Sequence, residues 1–591
     1  MKNKYLTSFT ALLLSSSLLF SGCSSIRASS DTNTAFRQFT LELFRQDVAA
    51  NTIGLHYTLK DPSAYDIVQA PVTYGSFSTN TTGMMASLEN SLSALSHYHY
   101  EDLTDENKLT YDILESYLQT AQKGAPYLLY EEPLGEITGI QAQLPVLLAE
   151  YPFHDIKDVD TYLSLLSCTP DYFNSLISFE KEKADSGLFI PDSTVDAVVD
   201  QCSSFVDMKD SNYLLTTFDE RLSKIPGLSS TVKRNYQKKN QEMIANAVVP
   251  AYESLIDALL ELRGSGKNKK GVCYFPNGKE YYSYVVERDT GSPRSVSEIK
   301  KLIHDQISSD LLSIQTLLSK DPELASRPVS AEAPPDKSDI FLQNQIDRNQ
   351  PEQILTLLEQ KSSAAFPAPP DVTAQVKYVP NAMEPYLSPA FYMVPAIDDQ
   401  SENVIYINQS RNVDTLKLFT TLAHEGYPGH LYQTTYFAEK NTEPLRSIFN
   451  FSGYVEGWAT YVESYACRYA ARNLDANTQA LCRLWYLNRS VHLTLCSLLD
   501  LGIHSQGWLL SDASAFLAQF GITDASAAAS LYQYILETPA NYLKYCVGSL
   551  SFSQLLSEVQ EQEGDSFSLI GFHEKLLRLG PLPFPLVEKY L

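Results

Sequence analysis

Between residues 424 and 430 the chain reads His424, Glu425, Gly426, Tyr427, Pro428, Gly429, His430. Two imidazoles flanking a carboxylate supply what a catalytic zinc site requires: two neutral nitrogen ligands and a base that takes a proton from water. Zinc helices of the HExxH type set their histidines four apart, which brings both onto one helical face. Here the spacing is six, and six steps of about 100° leave the second histidine roughly 120° from the first. An unbroken helix therefore cannot aim His424 and His430 at one ion. Pro428 offers the remedy, because it has no N–H for the carbonyl of His424 and its ring clashes there. The expectation is a helix that stops after Glu425, a loop, and His430 returning to a ligand position. Without a further ligand, the two histidines are equally well unrelated polar residues at a helix end. Asn450–Glu463 (NFSGYVEGWATYVE) provides carboxylates, with Glu456, Thr460 and Glu463 on one face at i, i+4 and i+7. Glu456 lies 32 residues after His424 and is the expected third ligand. Glu463 reads either as the acceptor that orients a ligand histidine or as an exposed acid.

These residues need elements to hold them. Residues 374–380 (AQVKYVP), 390–397 (AFYMVPAI) and 403–409 (NVIYINQ) are rich in Val, Ile, Tyr and Phe, and predict a small antiparallel sheet. The strand around Val404–Asn408 is expected to pair with an extended substrate backbone. Leu416, Phe419, Leu422 and Ala423 follow at helical spacing and predict the helix that delivers His424. Upstream, from about Ala35 to Arg263, amphipathic helices alternate with short polar breaks, and Ser295 caps a further helix from Val296 to about Leu318. With 25 Gly against 37 Tyr in 591 residues, the composition favours long helices over a Gly-rich β architecture, so the fold is expected to be mainly α. The organisation predicted is an N-terminal helical part over 36–270 and a catalytic part over 271–591, together forming one continuous structural unit.

Residues 1–22 read as a secretory leader: Lys2 and Lys4, then an apolar stretch from Leu6 to Phe20. It ends Phe20-Ser21-Gly22-Cys23, which resembles the bacterial lipobox and predicts a lipidated Cys23 followed by a flexible tether over 23–35. The seven other cysteines are irregularly spaced without a CxxC, which argues against a disulfide framework or a cysteine zinc site. A formal charge of −25 repels phosphate backbones and excludes nucleic acid as a partner.

HEGYPGH followed by EGWATYVE resembles the bacterial family known as domain of unknown function 885, which is grouped with Glu-zincin metallopeptidases. Phe173–Gln201, Pro276–Asp289, Asp500–Trp508, Pro539–Gly548 and Phe572–Pro581 resemble family segments in the same order. Two places depart from the family pattern: Ala540-Asn541 stands where Gly-Gln is usual, and Asp289-Thr290-Gly291 where His-Thr-Thr is usual. The resemblance implies a large helical zincin-like fold with the small sheet beside the active-site helix. It also implies a late tyrosine donating to the tetrahedral intermediate, here Tyr545, with Tyr542 as the substitute; either also suits core packing. His504 is a candidate substrate donor or a hydrogen-bonded structural histidine, and His573 invites the same two readings. The function expected is a lipid-anchored extracytoplasmic zinc metallopeptidase acting on short peptides, with His424, His430 and Glu456 on zinc and Glu425 as base. The rival expectations are a metal-dependent amidase acting on non-peptide or cell-wall amides, and a zinc- or peptide-binding lipoprotein without turnover. Glu425 speaks against pure binding, which needs ligands but no base between them.

Overall fold

The computed structural model describes residues 31–136, 139–321, 324, 350–379, 384, 388–410, 415–471 and 475–591. The leader and Cys23 lie outside them. The contacts divide the chain into two compact units. The first comprises Met1–Lys269 with Pro395–Asp399 and Glu443–Ile448; the second comprises Lys270–Val394, Gln400–Thr442 and Phe449–Leu591.

The first unit is helical. Its first described helix, Thr32–Ala49, starts inside the tether expected over 23–35, because Phe36, Thr40, Phe44 and Val48 repeat at helical spacing and the polar residues before them form the first turn. Asp155 caps Ile156–Ser167 in a capping box with Asp158. Among the described residues one helix, Ser230–Leu262, is long and apolar enough to cross a membrane by length and composition. Its second half buries Ala251, Tyr252, Leu255 and Leu259, packing against Thr169–Asp185 and Asp192–Asp207 as a core helix does.

In the second unit six helices frame the site: α1 (Val296–Lys320), α2 (Thr415–Glu425), α3 (His430–Lys440), α4 (Ser452–Ala471), α5 (Ala476–Gln506) and α6 (Asn541–Glu563). Ser295 caps α1 in a capping box with Glu298. The strands are β1 (Thr373–Tyr378), β2 (Ala390–Met393) and β3 (Glu402–Ile407), in the order β1-β3-β2. The sheet is mixed rather than antiparallel: β2 and β3 run antiparallel, but β1 runs parallel to β3. An eight-residue connection joins β2 to β3 as antiparallel neighbours, and β1 takes the far side of β3. The strand around Val404–Asn408 therefore has neighbours on both sides and no free edge for a substrate; β2 has one. Helices α4 and α6 cross at Gly457 and Gly548, where a Cβ on Gly457 would lie 2.6 Å from the Gly548 backbone. Only glycine lets two backbones approach this closely. None of the seven described cysteines is bridged.

Candidate metal centre

Helix α2 stops at Glu425 and α3 begins at His430, so the two histidines sit at facing helix ends, on either side of a four-residue loop. The Tyr427–Pro428 peptide is cis. Gly429 is required in that loop, since a Cβ there would lie 1.9 Å from the carbonyl oxygen of His424. Trp458 Nε1 on α4 donates to the Pro428 carbonyl at 2.9 Å and fixes the loop against the helix that carries Glu456.

His424, His430 and Glu456 offer ligand atoms that all lie within 4.8 Å of one another. Glu456 Oε2 is 3.7 Å from His424 Nε2 and 3.5 Å from His430 Nε2. Two ligands each about 2.0–2.1 Å from a tetrahedral ion stand roughly 3.4 Å apart, so this spacing suits a shared ion better than direct hydrogen bonds. The imidazole rings are 4.8 Å apart and nearly perpendicular, at 88°. Thr460 Oγ1, on the same face of α4 as Glu456 and Glu463, is buried without a partner.

Glu463 is buried and lies 2.9 Å from His424 Nδ1, which therefore carries a proton toward the carboxylate and turns Nε2 toward Glu456. The same carboxylate receives two bonds from Arg489 on α5: Nη2 donates to Oε1 at 2.7 Å and Nε to Oε2. Burial alone would raise the Glu463 pKa, but Arg489 and His424 outweigh it and hold it at about 2. For His424 burial acts downward, yet the attraction of Glu456, the hydrogen bond to Glu463 and the charges of Glu463 and Glu425 raise it to about 10. The carboxylates thus create a strong preference for positive charge at this point. A divalent cation held there would meet the same attraction in place of the proton. Two imidazoles and a carboxylate, one imidazole backed by a buried carboxylate, make a donor set that fits zinc.

Glu425 Oε2 accepts the N–H of Tyr392 at 2.8 Å, which places the carboxylate against β2. The Tyr392 N–H points away from β3, so the free edge of β2 borders Glu425. Tyr545 on α6 comes near the cluster, its ring 6.5 Å from that of His424. Tyr542 lies one turn earlier and packs its ring 5.7 Å from Tyr534.

His504 is not brought to the cluster. It is fully buried: Val272 N–H donates to Nδ1 at 3.2 Å and Nε2 donates to the Ile535 carbonyl at 2.9 Å. Both nitrogens are used, burial holds its pKa at about 4, and no donor is left for a substrate. His573 is likewise committed, between Tyr461 OH at 2.9 Å and the Ala365 carbonyl at 2.7 Å. Nearby, Asp500 Oδ1 accepts from Tyr282 OH and, at 3.1 Å, from Ala540 N–H, and burial raises this acid to about 7. Ala540 holds φ +61°, a conformation that glycine adopts freely and other residues rarely.

Residues 78–591 match the model of DUF885, described as bacterial protein of unknown function. The chain belongs to this family. The crystal structure of a protein classed as a lipoprotein in Colwellia psychrerythraea matches this DUF885 chain with a TM-score of 0.80 at 19% identity, covering 95% of this chain and 98% of that one. A second solved structure, classed likewise and of unknown function, from Shewanella oneidensis, matches with a TM-score of 0.62 at 16% identity, covering 95% of this chain and 99% of that one. At such identities the likeness concerns the fold, which extends over nearly the whole length of all three chains. No curated protein matches the sequence.

Proposed function

We propose that this DUF885 protein is a membrane-anchored, extracytoplasmic zinc metallopeptidase of the zincin type that hydrolyses peptide bonds. The supporting observation is the convergence of His424, His430 and Glu456, with ligand atoms within 4.8 Å, beside a carboxylate at Glu425. These three side chains are the ones that hold zinc. Zinc held there would supply a Lewis acid that lowers the pKa of a water and polarises the scissile carbonyl. Glu425, with one oxygen steadied by Tyr392 N–H, would take a proton from the attacking water and give it to the leaving amine. Glu463, held by Arg489, keeps the His424 proton on Nδ1. Tyr545 donates to the oxygen on which negative charge develops. The open edge of β2 pairs with an extended backbone, and short peptides are the substrate class.

Metal analysis of the purified protein tests the ligand set. One zinc per chain is expected, and His424→Ala, His430→Ala or Glu456→Gln should each lower occupancy sharply. Glu463→Gln should bind zinc about 10 to 100 times more weakly without losing the site. Full zinc in Glu456→Gln, or loss only in Glu463→Gln, would reject Glu456 as the ligand.

A further inference from the structure

From Arg221 to Asn240 the chain carries six basic side chains and no acidic one, within a protein of formal charge −25. Arg221 is turned inward, donating to the Tyr151 carbonyl at 2.5 Å and lying over the rings of Phe153 and Tyr162. The other five, Lys224, Lys233, Arg234, Lys238 and Lys239, lie at the surface of the first unit. The helix Ser230–Met243 that carries four of them buries only Asn240. Lys233 Nζ donates to the Ser223 carbonyl at 3.2 Å, which draws it toward Lys224. Of the five, only Lys238 has a carboxylate partner among the described residues, Glu242 on its own helix at 3.6 Å. Other acids border the strip: Asp160, which accepts from Tyr236 OH, and the exposed Asp219 and Glu220. Arg234 and Lys238 are four apart, a like-charge spacing that disfavours the helix by itself. Val232, 37% exposed, adds an apolar residue to the same helix.

We propose that this basic, largely exposed helix Ser230–Met243 docks on an anionic phospholipid surface and holds the first unit against the membrane that carries the chain. The proposal rests on the lipid anchor at Cys23. Cys23 precedes Thr32 by nine residues, so at about 3.3–3.6 Å per residue the first helix starts within roughly 30 Å of the anchored lipid. At that tether length the surface is present at high effective concentration, and weak contacts suffice. The net charge repels an anionic leaflet, so only a locally basic face can approach it. One lipid anchor with one polybasic patch is the usual two-signal arrangement for stable membrane attachment.

The test is partition of the full chain onto vesicles of phosphatidylcholine alone and of phosphatidylcholine with phosphatidylglycerol. Binding to the neutral vesicles reports the anchor, and the gain on adding phosphatidylglycerol reports the patch. The gain is expected to be about 10²-fold and to disappear at high salt. Joint substitution of Lys233, Arg234, Lys238 and Lys239 by Gln should remove the gain and leave neutral binding intact. Each single substitution should cost about five-fold, so the outcome does not depend on the fourfold variant folding. Removing four charges elsewhere, at Lys301, Lys320, Lys575 and Lys589, should leave the gain in place. No gain with phosphatidylglycerol would overturn the proposal and turn the strip toward an acidic protein partner. A gain that survives in the single and fourfold variants, or that the control removes equally, would also overturn it.

Discussion

A ligand histidine presents one ring nitrogen to the metal, and its neighbour on the other nitrogen decides which one. At His424 that neighbour is Glu463, and Glu463 is in turn fixed by the fork of Arg489. Arg489→Gln would leave a buried carboxylate with its histidine alone, and zinc should then bind about 10 to 100 times more weakly, measured by competition with a chelator. Arg489→Lys should recover little, because an ammonium cannot span both oxygens. Unchanged affinity in both variants would remove Arg489 from the account. The histidines and Glu456 were legible in the sequence because their spacing has a geometric meaning. Arg489 was not, since an arginine between Asn488 and Ser490 reads as an ordinary solvent-facing residue. His504 stood open between substrate donor and structural histidine for the converse reason: a sequence shows that a histidine is present, but not that backbone groups already use both its nitrogens.

At the scale of elements, the interruption between α2 and α3 follows from the proline, whose missing N–H and bulky ring act locally. Sheet pairing is not local. Composition marks β1, β2 and β3 as strands, but it does not say which lies in the middle, and so the edge open to a substrate was assigned to β3 instead of β2. Close helix crossings are equally hidden, because Gly457 and Gly548 read in sequence only as poor helix formers. In the structure they let α6 pack closely against α4, with Tyr545 on α6 near His424. A methyl on Gly548 would sit 2.1 Å from the Gly453 carbonyl oxygen and 2.7 Å from the Gly457 Cα. Gly548→Ala should therefore destabilise the protein by about 1–3 kcal/mol, read as a lower melting temperature. It should reduce turnover more than zinc content, since α6 carries Tyr545 but no ligand. An unchanged melt would show that the crossing is looser than described.

At the scale of the whole molecule, the mainly helical character was legible from composition and capping residues, but the grouping of segments was not. Glu443 accepts from Thr40 at 3.1 Å across 403 residues of sequence, and no local pattern predicts such a return. If the leader and Cys23 anchor the chain as proposed, Cys23→Ser should release it into the soluble fraction or block its processing; unchanged fractionation would reject the anchor. What the assembled chain does turns on Glu425. Glutamine there keeps the size and one acceptor oxygen but cannot take a proton from water. The decisive measurement is hydrolysis of a peptide, identified by digesting a mixed peptide library, by wild type and by Glu425→Gln at equal zinc content. Wild-type cleavage is expected, with a loss of about 10² to 10⁴ in kcat for the variant and zinc and melting temperature unchanged. Cleavage by zinc-loaded Glu425→Gln at the wild-type rate would contradict that expectation.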